Sequence, residues 1–113
     1  MSMFVLFAVR EATFQSVDDV GQRVAALVDA KPMNRMGDEK GDYCTFQSST
    51  GEHIEVVAGV WSDEDGDYPR EPDFPNWPYL LYLNNTHAQS AWLKALEGDG
   101  AQFKKMRTDV VAS

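Results

Sequence analysis

The chain has a single cysteine, Cys44, and two histidines, His53 and His87, in 113 residues. One thiol cannot form an internal disulfide, which points to a reducing compartment. The two histidines stand alone, without the spacing of a metal site. Positive charge is scarce too. Ten Lys and Arg against eighteen Asp and Glu leave a net charge of −8, which disfavours direct contact with nucleic acid or an anionic membrane. Long apolar runs are also missing. Met3–Val9 is apolar but far short of the ~20 residues of a membrane span. No basic residue precedes it, so neither a transmembrane helix nor a signal peptide is expected. These absences point to a cytoplasmic protein with room for one hydrophobic core.

Signatures of chemistry are equally thin. Gly98-Asp99-Gly100 and the Gly37/Gly41 pair are isolated, have acidic neighbours and lack a phosphate-loop lysine. Counted as a calcium loop from Asp63, the acids fall at positions one, three and five. Gly66 falls at four where the turn needs six, and Phe74 stands where the closing glutamate belongs. Clustered carboxylates in one loop form a solvated face more often than a converging acid–base pair. The expectation is therefore no catalytic residue, no metal, no cofactor and no enzymatic activity.

What is present reads as an ordinary folded chain, 43% hydrophobic and 25% charged. Met3–Arg10 is nearly continuous in apolar residues, the pattern of a central strand covered on both faces. Ser16 caps a helix whose first turn holds Asp18 and Asp19, with Val17, Val20, Val24, Leu27 and Val28 as its buried stripe. Pro32 ends it, and Lys31–Asp42 reads as a loop. Tyr43–Ser48 and Glu52–Trp61 then form a hairpin. A two-residue turn would pair Phe46 with Glu55. A three-residue turn, with Gly51 left-handed, pairs Phe46 with Ile54, Cys44 with Val56, Thr45 with Glu55 and Gln47 with His53. The second register sorts apolar from polar and is adopted. It puts Cys44 and His53 on opposite faces, which excludes them as a nucleophile–base pair. Tyr79–Asn84 is a second central strand. Thr86 and Gln89 suggest a capping box for a helix with Ala88, Ala91, Trp92, Ala95 and Leu96 inward. A last helix capped by Asp99 would bury Phe103, Met106 and Val110. The fold expected is a single α+β domain over residues 1–113, a two-layer sandwich in which helices back a mostly antiparallel four-stranded sheet in the order β-α-β-β-β-α-α.

The segment that core-building leaves unexplained is 62–78, SDEDGDYPREPDFPNWP. Pro69, Pro72, Pro75 and Pro78 recur every third residue, one turn of a polyproline II helix. That period puts Tyr68, Glu71, Phe74 and Trp77 along one edge. They either pack on the sheet as a stiff strap or face a partner. From Glu52 to Asp73, eight carboxylates stand against Arg70 alone. Aromatic anchors among charges are how binding hot spots are commonly built. The expectation is an acidic inhibitor or immunity-type protein occluding a basic surface of another protein, such as a nuclease toxin or a nucleic-acid-binding protein. Small bacterial toxin-neutralising proteins share this size and charge. The residues assigned to partner binding are Asp63, Glu64, Asp65, Asp67, Tyr68, Glu71, Asp73 and Trp77, with Glu55 and His53 on the neighbouring strand. On this reading neutralising Asp65 and Asp67 slows association, and Trp77→Ala speeds dissociation. The alternative is a small-ligand-binding or enzymatic domain with a pocket between sheet and segment, lined by Trp61, Tyr68, Phe74, Tyr79 and Tyr82.

Overall fold

Strand β1 (Ser2–Val9) explains the arrangement around it. Its side chains alternate between two apolar environments, Val5, Phe7 and Val9 on one side and Leu6 and Ala8 on the other. A strand buried on both faces must also satisfy both rows of its backbone groups. In the computed structural model, which describes residues 2–9, 14, 16–37, 41–63, 66–74, 77–100 and 102–111, it pairs antiparallel with a strand on each side.

The remaining elements are α1 (Val17–Val28), β2 (Met33–Gly37), β3 (Gly41–Gln47), β4 (His53–Ala58), β5 (Val60–Asp63), β6 (Gly66–Pro69), β7 (Tyr79–Thr86), α2 (Ala91–Gly98) and β8 (Phe103–Val111). The main sheet has six antiparallel strands in the order β2-β3-β4-β7-β1-β8, and β5 and β6 form a separate two-stranded ribbon. The architecture is α+β, as expected, with both helices against one face of the sheet. That inner face joins Val20 and Val24 of α1 and Leu93 and Leu96 of α2 to Phe7, Phe46, Ile54 and Leu81.

The hairpin register is the one argued from the pleat: Phe46 faces Ile54, Cys44 faces Val56, Thr45 faces Glu55 and Gln47 faces His53. Gly51 closes the turn at φ +96°, a conformation that glycine reaches without a Cβ clash. Ser16 caps α1 as expected, its hydroxyl accepting from the Asp19 N–H at 3.2 Å. Asp29 ends that helix in the left-handed conformation, before Pro32 is reached.

Four expectations are corrected. The sheet has six strands, not four, because two segments read otherwise are strands. Part of the 31–42 stretch is β2, paired with β3 as an edge strand, where a polar sequence is tolerated. The last segment is strand β8, not a helix, since it supplies the second hydrogen-bonded neighbour that β1 requires. Thr86 is not a helix cap. It ends β7, and Ser90 caps α2 instead, accepting from the Leu93 N–H at 3.2 Å.

Candidate functional site

The outer face of the sheet, opposite the helices, carries a smaller apolar patch of Leu6, Ala8, Val57 and Leu80. Residues 70–74 and 77–78 border it, with Phe74 and Trp77 packed half-buried on the patch. Glu71 clamps the covering piece. Its carboxylate accepts the Tyr82 hydroxyl at 2.7 Å and both terminal guanidinium nitrogens of Arg107 at 3.4 Å. Burial and then this bond to Glu71 push the Tyr82 hydroxyl pKa well up, and the same carboxylate raises that of Arg107. Lys104 adds a cation over the Trp77 ring, 5.8 Å from its centroid.

Polyproline geometry does not run through 62–78. Gly66–Pro69 is a strand paired with β5, with Trp61 opposite Tyr68 and Ser62 opposite Asp67. Beyond it the chain turns, the Phe74 N–H donating to the Glu71 carbonyl at 2.9 Å. Glu71, Phe74 and Trp77 nevertheless all reach the outer face of the sheet.

Where the chain leaves the sheet, its backbone is pinned. The Gly59 N–H donates to the Pro78 carbonyl and the Arg70 N–H to the Gly59 carbonyl, each at 2.8 Å. The Arg70 side chain reaches back to the Ala58 carbonyl at 3.0 Å. The ribbon thus departs from a fixed root. Its two arms end at Asp63 and Gly66, which face one another.

The residues assigned to partner binding from the sequence divide accordingly. Asp63 and Asp67 are placed, by their backbone, at the ribbon end, whereas Glu64 and Asp65 lie outside the described residues. Tyr68 on β6 and Asp73 beyond it are exposed. Glu71 and Trp77 are turned onto the chain's own sheet, because the outer face offers them hydrogen-bond donors, the Tyr82 hydroxyl and the Arg107 guanidinium, and an apolar floor. Both make contacts within the chain itself. Glu55 and His53 lie on the same outer face, Glu55 beside Tyr82 and His53 beside Asn84, with 3.4 Å between its Nδ1 and the Asn84 amide nitrogen. His53 begins β4 and the ribbon leaves beyond its end, roughly 17 Å along an extended chain. His53 therefore does not converge with the ribbon end.

Glu52, counted in the acidic stretch, is buried. Its carboxylate accepts the Thr86 hydroxyl at 2.7 Å and the Ser90 hydroxyl, joining the hairpin turn to the start of α2. Sequence alone could have flagged only the two hydroxyl residues, not their shared acceptor. Of the aromatic set expected to line a pocket, Tyr79 faces the helix layer, where burial and Asp19 raise its hydroxyl pKa. Phe74 fills the space such a pocket would need. The uncovered part of the outer face holds a shallow depression of about 20 Å³ lined by Phe4, Val5, Leu6, Tyr82, Asn84, Arg107 and Asp109, room for little more than one water molecule.

Cys44 is buried on the inner face, and burial, with Asp18 nearby, pushes its thiol up to about 11. It is inert packing rather than a nucleophile. Among the described residues no group of three or more His, Cys, Asp or Glu is placed to hold a metal ion, and no helix is long and apolar enough to cross a membrane. No protein-family model matches the chain, and no curated protein or solved structure matches it either.

Proposed function

We propose that this protein is a cytoplasmic, acidic binding protein of the inhibitor or immunity type, and that the end of the β5–β6 ribbon is its recognition element. The supporting observation is the placement of Asp63 and Asp67 at the end of a two-stranded ribbon outside the main sheet, on a root fixed by three hydrogen bonds. Glu64 and Asp65 stand between them in the sequence, and no basic residue interrupts the run. Charge of one sign on a held projection steers encounter with a basic cleft, and a fixed root lowers the ordering cost of docking. Tyr68 and Asp73 extend the surface. A nuclease toxin or a nucleic-acid-binding protein has a cleft of matching sign.

The test is affinity capture from extract of the native host at low and high salt, with wild type and the Asp63→Asn/Asp67→Asn double variant as bait. A basic protein retained by wild type at low salt, and associating several-fold more slowly with the variant, is the expected outcome. Retention indifferent to salt and to both substitutions, or no retained protein at all, would overturn the reading.

A further inference from the structure

Strand β8 ends the main sheet, and among the described residues nothing pairs with its outer edge. It is nine residues long, and an edge of that length templates pairing with another strand unless lysines, prolines or a bulge intervene. Its lysines and its bulge sit in the first half. Lys104 and Lys105 are there, and a register shift leaves Met106 with no residue opposite it on β1. From Arg107 to Val111 the register is regular and contains neither lysine, proline nor glycine. Val110 and Val111 are 56% and 50% exposed.

We propose that two copies of this chain pair antiparallel through the Arg107–Val111 edge, about a twofold axis centred on Thr108. Charge selects both the occupant and the register. For two copies to continue one sheet with their helices on the same side, facing residues must project from the same face, so the axis passes through a residue facing its own copy. Centring on Arg107 or on Asp109 sets like charges directly opposite, which is destabilising. Centring on Val110 sets Asp109 against Val111 and forfeits the charge match. Centring on Thr108 sets Arg107 against the second copy's Asp109, and symmetry repeats the pair. It also brings two threonines together, a favourable cross-strand pair. Arg107 and Asp109 do project from one face, since the Arg107 Nε lies 3.1 Å from the Asp109 carboxylate within the strand. Glu71 holds the guanidinium from the other side.

The contact is short, so the dimer is a weak, concentration-dependent one. The ribbon end with Asp63 and Asp67 is not part of this contact, because β4, from which the ribbon departs, lies three strands away. The experiment combines sedimentation over a wide concentration range with cysteine cross-linking under mild oxidation. Thr108→Cys should trap a covalent dimer, since directly opposite Cβ atoms lie ~4.5–5.5 Å apart, near disulfide range. Val110→Cys should not, its two copies being roughly 14 Å apart along the strands. Cys44 is buried and gives no background. Asp109→Arg, at an exposed position, should weaken self-association about tenfold by opposing arginines. A monomer at every concentration overturns the proposal. So does preferential cross-linking at residue 110, or association unchanged by Asp109→Arg.

Discussion

Gly59 shows how little room a single residue can have. A Cβ built there would lie 1.9 Å from the Trp77 carbonyl oxygen. That oxygen belongs to backbone held in place by the neighbouring Pro78–Gly59 hydrogen bond. Gly59→Ala must therefore displace the covering segment, and a loss of about 1–3 kcal/mol is expected, the usual cost of overpacking. The denaturant midpoint measures it, and a midpoint equal to wild type would mean that the segment is not seated there. Glu52 makes the complementary point. Acidic residues near one another in sequence are not one surface: Glu52 serves two buried hydroxyls, and Glu71 a tyrosine and an arginine.

At the scale of elements, the covering segment is a second layer rather than a linker. Phe74 and Trp77 shield Leu6, Ala8, Val57 and Leu80, all nearly inaccessible to solvent. Without them this face of β1, β4 and β7 would carry an open apolar patch, which soluble surfaces avoid. Trp77→Ala should lower stability by roughly 2–3 kcal/mol, below the full cost for a buried aromatic because the ring is only half-buried. Thermal melting tests this, with far-ultraviolet circular dichroism expected to stay native. A melting temperature unmoved by the substitution would mean that the ring does not hold the segment on the sheet.

The whole molecule is a sheet with an apolar patch on each face, and its titration behaviour follows. Cys44 lies under the helices and Tyr82 under the covering segment, and burial raises both above their ordinary values. The folded state therefore holds these protons more tightly than the unfolded chain. Stability is fully present below the ordinary thiol value of 9.0 and falls as pH rises from there through about 11 for Cys44. The loss from Cys44 is on the order of 2 kcal/mol, and Tyr82 extends it to higher pH. Urea midpoints between pH 8 and 11 should decline, and Cys44→Ala should flatten the part between 9 and 11. Midpoints constant over that range would contradict the burial of both groups.

Local patterns in the chain determined what depends on near neighbours. The Ser16 cap, the valine stripe of α1, the centrality of β1 and β7, and the full register of the β3–β4 hairpin all follow from periodicity, capping chemistry and pleat alternation. Tertiary structure alone decided the rest. Phe103, Met106 and Val110 recur at a helical spacing, yet the segment is a strand because β1 needs a hydrogen-bonded neighbour and the shift at Met106 breaks the alternation. Glu71 and Trp77 stand among acids and prolines, yet they turn inward because the outer face of the sheet is apolar at its centre and carries Tyr82 and Arg107 beside it. Period and propensity act over a few residues, whereas the demand to cover a sheet on both faces and to pair both edges of a central strand is set by chain far away in sequence.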